Sequence, residues 1–244
     1  KIEVIQAAGN VGLGGIAGNY QHASTMTGCV NNGEIISIYD NVGKKATAQV
    51  GGVVGSGGTT AGSVCKCVNN APVTVTHHTK DGYNLVGGVV GRAADLTVEE
   101  CVNNAAVSSS VTSTNQLSAA GGVLGEPNGK VVVKNNINYA SVTGANVKGY
   151  MYVGGIFGSD CEGNLHAADK GAKSVTGNKN YGSVSASSSA TPSNNSKYYP
   201  DNKVNGVAAG GLFGILAQSI GVESDNYNYG NVAATAAGAA SDAG

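Results

Sequence analysis

The chain has 244 residues, enough to bury a sizeable core, with 12% charged and 41% hydrophobic residues. This balance excludes a disordered polyelectrolyte, and a net charge of −1 without a cluster of Lys or Arg excludes nucleic-acid binding. No apolar run approaches the ~20 residues of a membrane-spanning helix, so we expect no membrane insertion. The 39 glycines and 4 prolines favour short strands joined by tight turns.

Two signatures alternate along the chain. A pentapeptide Gly-Gly-aliphatic-apolar-Gly begins at six glycines: Gly14, Gly51, Gly87, Gly121, Gly154 and Gly210. Each is followed by (Cys/Asn)-x-Asn-(Asn/Tyr)-(Gly/Ala)-x-(Val/Ile), which begins at Cys29, Cys67, Cys101, Asn136, Asn178 and Asn226. One unit cannot bury its own apolar face, whereas stacked units share a continuous core. Because no segment shows a helical period, the repeat predicts an all-β fold, a β-solenoid of six repeats similar to a parallel β-helix.

The repeats also predict the domain organisation. Residues 1–13 would form an N-terminal cap or lead-in, and residues 14–235 a single repeat domain with units starting at the six glycines above. Inserted loops are predicted near 159–177 and 185–209, and a flexible tail or linker over 236–244. The sequence leaves open whether each unit forms one wide coil or two narrow ones.

Residues that recur at fixed places have structural interpretations. The repeated glycines indicate corners that need either a positive φ or a close approach of two backbones. The Asn common to all six second signatures fits a stacked amide ladder, or alternatively a left-handed turn position. Cys29, Cys67 and Cys101 share one repeat position, where we expect small buried apolar side chains. The repeated asparagines are Asn31, Asn69, Asn103, Asn138, Asn180 and Asn228.

The repeat changes halfway along the chain, from Cys-x-Asn-Asn in the first three units to Asn-x-Asn-Tyr in the last three. If side chains alternate, both asparagines point inward and Tyr139, Tyr181 and Tyr229 form an exposed stripe. Tyr198 and Tyr199 lie in the predicted loop over 185–209, where they could stack on a ligand. These five tyrosines are the predicted ligand-binding residues.

Three motifs suggest cofactor or metal sites and are set aside. The segment 12–17 with Glu34 matches a dinucleotide fingerprint, but its frame recurs five times without a following helix. Calcium-binding nonapeptide repeats need a regularly placed Asp that is missing here. His77 and His78 could bind a metal, but adjacent strand residues point to opposite faces, and we expect a surface turn there. No metal and no cofactor are therefore predicted.

Paired carboxylates, which cleave glycosidic bonds, occur at 99–100, 160 and 162, and 223 and 225. Glu100 and Asp225 come immediately before the second signature and are expected on the solvated surface. Asp160 and three other polar residues crowd into the insertion of the fifth unit, where an irregular loop is the simpler interpretation. The other three are Glu162, His166 and Asp169.

At its two signatures the chain resembles the GLUG-motif repeats of surface and adhesin-like proteins, many from Bacteroidetes and Firmicutes. The resemblance covers roughly residues 11–235 and departs at Ala71, Ala105 and Ala140, which stand where the motif has Gly. It implies a secreted or surface-attached, largely non-catalytic bacterial module that is often part of a longer chain. Because the sequence opens without Met, we expect any signal or anchor outside these residues.

We therefore expect a cell-surface, adhesin-like module that recognises a glycan or a host or bacterial surface protein, or acts as a structural spacer. It is not expected to be an enzyme. The alternative is a β-helical carbohydrate-active enzyme, a hydrolase or lyase, that uses the region of Asp160 and Glu162. An ice-binding solenoid would need aligned threonines, which the repeats lack.

Overall fold

The computed structural model describes residues 1–6, 9–21, 23–112, 117–147, 149–160, 173–189, 206–216, 220–236 and 241–243. Throughout this part of the chain the regular structure is β-strand, and the strands pair in parallel. Each repeat forms one coil with four successive faces, which we call A to D in chain order. The prediction of an all-β solenoid of six repeats is confirmed, and each unit is one wide coil.

The strands of each face stack along the solenoid axis. Those of face A, before each Gly-Gly pair, are Gly9–Gly14 (β2), the second half of Ile35–Gly51 (β6), Asn84–Gly87 (β10), Leu117–Gly121 (β14), Tyr150–Gly154 (β19), Val207–Gly210 (β24) and Ser241–Ala243 (β29). Those of face D, which closes each coil, are Ile2–Gln6 (β1), the first half of β6, Val73–Asp81 (β9), Val107–Thr112 (β13), Val142–Asn146 (β18), Val184–Ser188 (β23) and Val232–Ala236 (β28).

Faces B and C lie between them. The strands of face B are Ala17–Tyr20 (β3), Thr25–Thr27 (β4), Val54–Cys65 (β7), Val90–Glu99 (β11), Leu124–Asn128 (β15), Val132–Lys134 (β16), Phe157–Ser159 (β20), Lys173–Thr176 (β21), Phe213–Ile215 (β25) and Ile220–Ser224 (β26). The two-residue strands of face C are Val30–Asn31 (β5), Val68–Asn69 (β8), Val102–Asn103 (β12), Ile137–Asn138 (β17), Lys179–Asn180 (β22) and Tyr227–Asn228 (β27).

Two apolar clusters fill the solenoid. One is enclosed by face B and contains Val64, Val98 and Cys101 among its buried residues. The other lies between faces D and A and contains Val75 and Val86. The residues of both clusters come from the alternation of side chains along each strand, because every second residue faces inward. In-register stacking then places like side chains above one another at a rise of about 4.8 Å per coil.

Both ends of the described chain add single strands to the stack. β1 pairs with Ile35–Tyr39 and extends face D beyond the first coil. β29 pairs with Val207–Ala209 and extends face A beyond the sixth coil. Thus residues within the predicted lead-in and the predicted tail continue the ladders. Residues 161–172 and 190–205, in the two predicted inserted loops, lie outside the described residues.

The glycine pairs allow two backbones to approach closely. A Cβ added at Gly122 would lie 2.4 Å from Cγ of Asn138 and 2.1 Å from the carbonyl oxygen of Gly155 on the next coil. None of the glycines in the six pentapeptides has a positive φ. Of the two interpretations of these glycines, close approach is confirmed and a left-handed conformation is wrong.

The left-handed corner lies instead just before the second signature, in all six coils. There φ ranges from +53° to +70° although only two of the six residues are glycine. A left-handed conformation costs a non-glycine residue roughly 1–2 kcal/mol, so the fold imposes this turn in every coil. The residues are Gly28, Lys66, Glu100, Asn135, Gly177 and Asp225.

Candidate functional site

A ladder of asparagines runs along the inside of face C and is buried in the first five coils. The side-chain amide of Asn31 donates to Oδ1 of Asn69 at 2.8 Å, and four equivalent bonds of 2.7–2.9 Å continue to Asn228. Within each coil the same amide also bonds the backbone two residues ahead, as from Asn103 to the oxygen of Ala105 at 2.8 Å. The predicted amide ladder is confirmed, and it fixes the register of face C.

The next residue along each coil points outward and carries the change in the repeat. In coils one to three it is an exposed asparagine, and Asn70 and Asn104 each donate to the coil before at 2.9 and 2.8 Å. In coils four to six it is Tyr139, Tyr181 or Tyr229. The same edge of the solenoid therefore presents an amide row in one half and a phenol row in the other.

The three tyrosines form a stacked ladder, which we call the tyrosine ladder. The ring centroids of Tyr139 and Tyr181 are 5.2 Å apart with planes at 14°, and those of Tyr181 and Tyr229 are 4.7 Å apart at 9°. Their exposed fractions are 52%, 42% and 60% in chain order. Stacking covers both faces of Tyr181, so the ladder offers solvent mainly ring edges and hydroxyl groups.

Sequence reasoning missed a fourth exposed ring beside this ladder. Tyr227 lies on the same coil as Tyr229, with ring centroids 6.3 Å apart and planes at 22°. It occupies the outward position that holds Val30 in the first coil. The available signal was the alternation within Asn226-Tyr227-Asn228-Tyr229, where each tyrosine follows an inward asparagine.

The change from asparagine to tyrosine at the outward position is accompanied by a change at an inward position of the same signature. Asn136 donates to Oδ1 of Asn178 at 3.0 Å, and Asn178 to Oδ1 of Asn226 at 2.9 Å, which forms a second amide ladder in the half with the tyrosines. In the other half this position holds Cys67 and Cys101, which are buried free thiols, and Cys29, which is half-buried. Small buried side chains were predicted there and are confirmed for the first two.

The two buried thiols perturb each other's pKa. The interaction of the Cys67 side chain with Cys101 is the largest influence on both groups, lowering the pKa of Cys67 to about 6 and raising the pKa of Cys101. Burial raises the pKa of Cys29, with a smaller contribution from Cys67. Cys101 Sγ also lies 3.4 Å from the oxygen of Val64.

The remaining predicted candidates lie apart from the tyrosine ladder. Tyr198 and Tyr199 fall outside the described residues, as do Glu162, His166 and Asp169. Asp160 is fully buried.

The other predicted carboxylates lie on the surface. Glu99 pairs with Lys134 at 3.1 Å, and Glu100 pairs with Lys66 at 3.7 Å. In the part of the chain that the structure describes, no three His, Cys, Asp or Glu residues lie close enough to hold a metal ion.

His77 has a different environment from the predicted surface turn. It lies within β9, is fully buried, and its Nε2 is 2.9 Å from the hydroxyl of Ser37. Its ring is tilted against Tyr39, with centroids 5.8 Å apart. Burial lowers its pKa to about 4, although Asn84 opposes the shift. The expectation that adjacent histidines point to opposite faces is confirmed, because His78 is half-buried on the other side.

Comparisons with protein-family models, curated proteins and solved structures each return no significant match to this chain. Within the described residues, no helix is long and apolar enough to cross a membrane.

Proposed function

We propose that this chain is a non-catalytic, surface-displayed repeat module that recognises a glycan or protein partner through the tyrosine ladder. The observation that carries the proposal is the stacking of Tyr139, Tyr181 and Tyr229, which holds three large exposed side chains in one rigid row. Rigid, exposed tyrosines are good recognition groups because little side-chain entropy is lost on binding. The outward asparagines of coils one to three keep the same coil geometry, so the fold itself does not require tyrosines here.

The geometry of the ladder favours a partner that contacts hydroxyl groups and ring edges. Tyr181 lies between two rings of the ladder, whereas Tyr139 and Tyr229, at the two ends of the row, each stack on one ladder ring. The carbohydrate-active enzyme has less support, since the one described member of its predicted cluster, Asp160, is fully buried.

The test is a binding screen of the chain against a glycan array and a panel of purified extracellular-matrix proteins. The variant carries Tyr139→Ala, Tyr181→Ala and Tyr229→Ala, and the matched control carries Asn32→Ala, Asn70→Ala and Asn104→Ala at the same outward position. Recognition through the ladder predicts that binding is lost in the tyrosine variant and kept in the control. If the parent chain binds nothing, the role of rigid spacer is the better assignment, and if both variants lose binding equally, recognition through the tyrosine ladder is ruled out.

A further inference from the structure

A groove of about 510 Å³ lies between the outer sides of faces A and B in coils two to four. Face A contributes outward residues of the second and third coils, and face B contributes outward residues of the third and fourth. The glycine pentapeptides create this groove, because they bring the end of each face A strand back against the start of face B. The lining residues are Thr47, Gln49, Tyr83, Leu85, Arg92, Glu126 and Asn128.

A charged pair lies in the groove. Nε of Arg92 is 3.6 Å from Oε1 of Glu126, and Glu126 is 2% exposed. At this position the second and fifth coils carry Ser56 and Ser159, so the fold accepts a small neutral side chain. Burial of the Glu126 carboxylate costs desolvation free energy, so its pairing with the partly exposed Arg92 is not what stability alone would select.

Two amides in the groove have open hydrogen-bonding groups. Asn128 is only 9% exposed, yet its side chain makes no hydrogen bond within the described part of the chain. Gln49 on the opposite wall is half-buried, and its side chain also makes no hydrogen bond within the described part of the chain. Both amides line an open groove, so a ligand with hydroxyl groups can hydrogen-bond them in place of solvent.

We propose that this groove binds a neutral saccharide. A sugar ring both donates and accepts hydrogen bonds, which suits a lining with Arg92 as donor, Glu126 as acceptor, and amides that do both. Its apolar C–H surface suits the side chains of Tyr83 and Leu85. The two charges cancel, so neither an anion nor a cation is favoured. The volume lies within the range of small-molecule sites, and the site is separate from the tyrosine ladder.

The experiment measures binding of neutral oligosaccharides built from glucose, galactose or mannose, first on an array and then by titration calorimetry. One variant carries Arg92→Ser and Glu126→Ser, which copies the second and fifth coils and removes both charges of the pair. A second variant is Asn128→Ala. The matched control carries Glu99→Ser and Lys134→Ser, an exposed ion pair that joins the same two coils at 3.1 Å. Thermal melting followed by circular dichroism establishes that each variant is folded.

The proposal expects a neutral oligosaccharide to bind, with a Kd at least about tenfold higher in both groove variants and unchanged in the control. The tyrosine triple variant keeps this binding, which separates the groove from the proposed function. The proposal is overturned if no neutral saccharide binds, if only acidic saccharides bind, or if folded groove variants bind as the parent does.

Discussion

The side-chain amide of Asn103 donates a hydrogen bond of 2.8 Å to Asn138, at the step where the repeat changes its composition. On one side of this bond the inward neighbour is a cysteine and the outward neighbour an asparagine. On the other side they are an asparagine and a tyrosine. The central ladder is therefore the continuous element that keeps two differently built halves in one register.

Removal of one member of this ladder should destabilise the solenoid strongly. Asn103→Ala deprives Asn69 of its acceptor and Asn138 of its donor, and both groups are fully buried. We expect the free energy of unfolding to fall by about 2–4 kcal/mol. The control is Asn104→Ala in the exposed ladder one residue further, which should cost less than about 1 kcal/mol. Denaturant unfolding followed by circular dichroism measures both, and equal losses would contradict a special role for the buried ladder.

The second glycine of each pair should not accept a methyl group. Gly122→Ala places a Cβ against Asn138 and the backbone oxygen of Gly155, so we expect a loss of about 3 kcal/mol or more. Adding Asn138→Ala should not restore stability, because the backbone overlap remains.

The matched control for this substitution is Gly33→Ala, where an added Cβ meets its nearest atom at 3.6 Å and the equivalent residues are Ala71 and Ala105. That change should be neutral, or stabilising by a few tenths of a kcal/mol, because alanine restricts the unfolded chain. Melting temperatures of the variants distinguish the two positions. Equal effects would show that close approach is not what the glycine pairs provide.

Much of this architecture could be predicted from the sequence, because in-register stacking turns a sequence repeat directly into a spatial row. The inward Asn103 and the outward Tyr181 both follow from period-two alternation applied to the second signature. The left-handed corner could not be predicted in this way, since Lys66, Glu100 and Gly28 share no side-chain property that marks it. The conformation there is imposed by the coil as a whole.

The groove and the burial of His77 also could not be predicted from the sequence repeat. Gln49 and Glu126 are 77 positions apart in the sequence and occupy different faces of different coils. Their proximity depends on how closely the glycine pentapeptides bring face A and face B together, and no local sequence pattern specifies that distance. His77 was expected in a surface turn after the strand-like run Val73–Thr76, but β9 continues through it and alternation buries its side chain.

Acid should destabilise the protein through His77. Its pKa of about 4 when folded lies below the unfolded value of about 6.5, so protonation favours the unfolded chain. The stabilisation is fully present above about pH 6.5 and is lost as the pH falls towards 4, by up to about 3 kcal/mol. His77→Val copies Val111, its neighbour in register on the next coil, and should reduce this dependence. Unfolding free energies at pH 7 and pH 4.5 test it, and an unchanged slope in the variant would count against the assignment.

The second amide ladder, formed by Asn136, Asn178 and Asn226, should tolerate a further asparagine at position 101. Asn136 donates to the oxygen of Val98 at 2.9 Å, and Cys101 Sγ already lies 3.4 Å from Val64, the equivalent oxygen one coil earlier. Oδ1 of Asn136 accepts a hydrogen bond from the backbone N–H of Cys101 at 2.9 Å, so it also lies within reach of an amide at position 101. Cys101→Asn should therefore change the free energy of unfolding by less than about 1 kcal/mol.

The control for this change is Val98→Asn. Val98 is fully buried in the same cluster but has no stacked amide above or below it, so the new polar group would lack partners. We expect that variant to lose about 3 kcal/mol or more. A similar loss in Cys101→Asn would mean that the cysteine half of the solenoid differs from the other half in backbone spacing. Tolerance of Cys101→Asn alone would mean that both halves share one backbone and differ only in which side chains fill the same two positions.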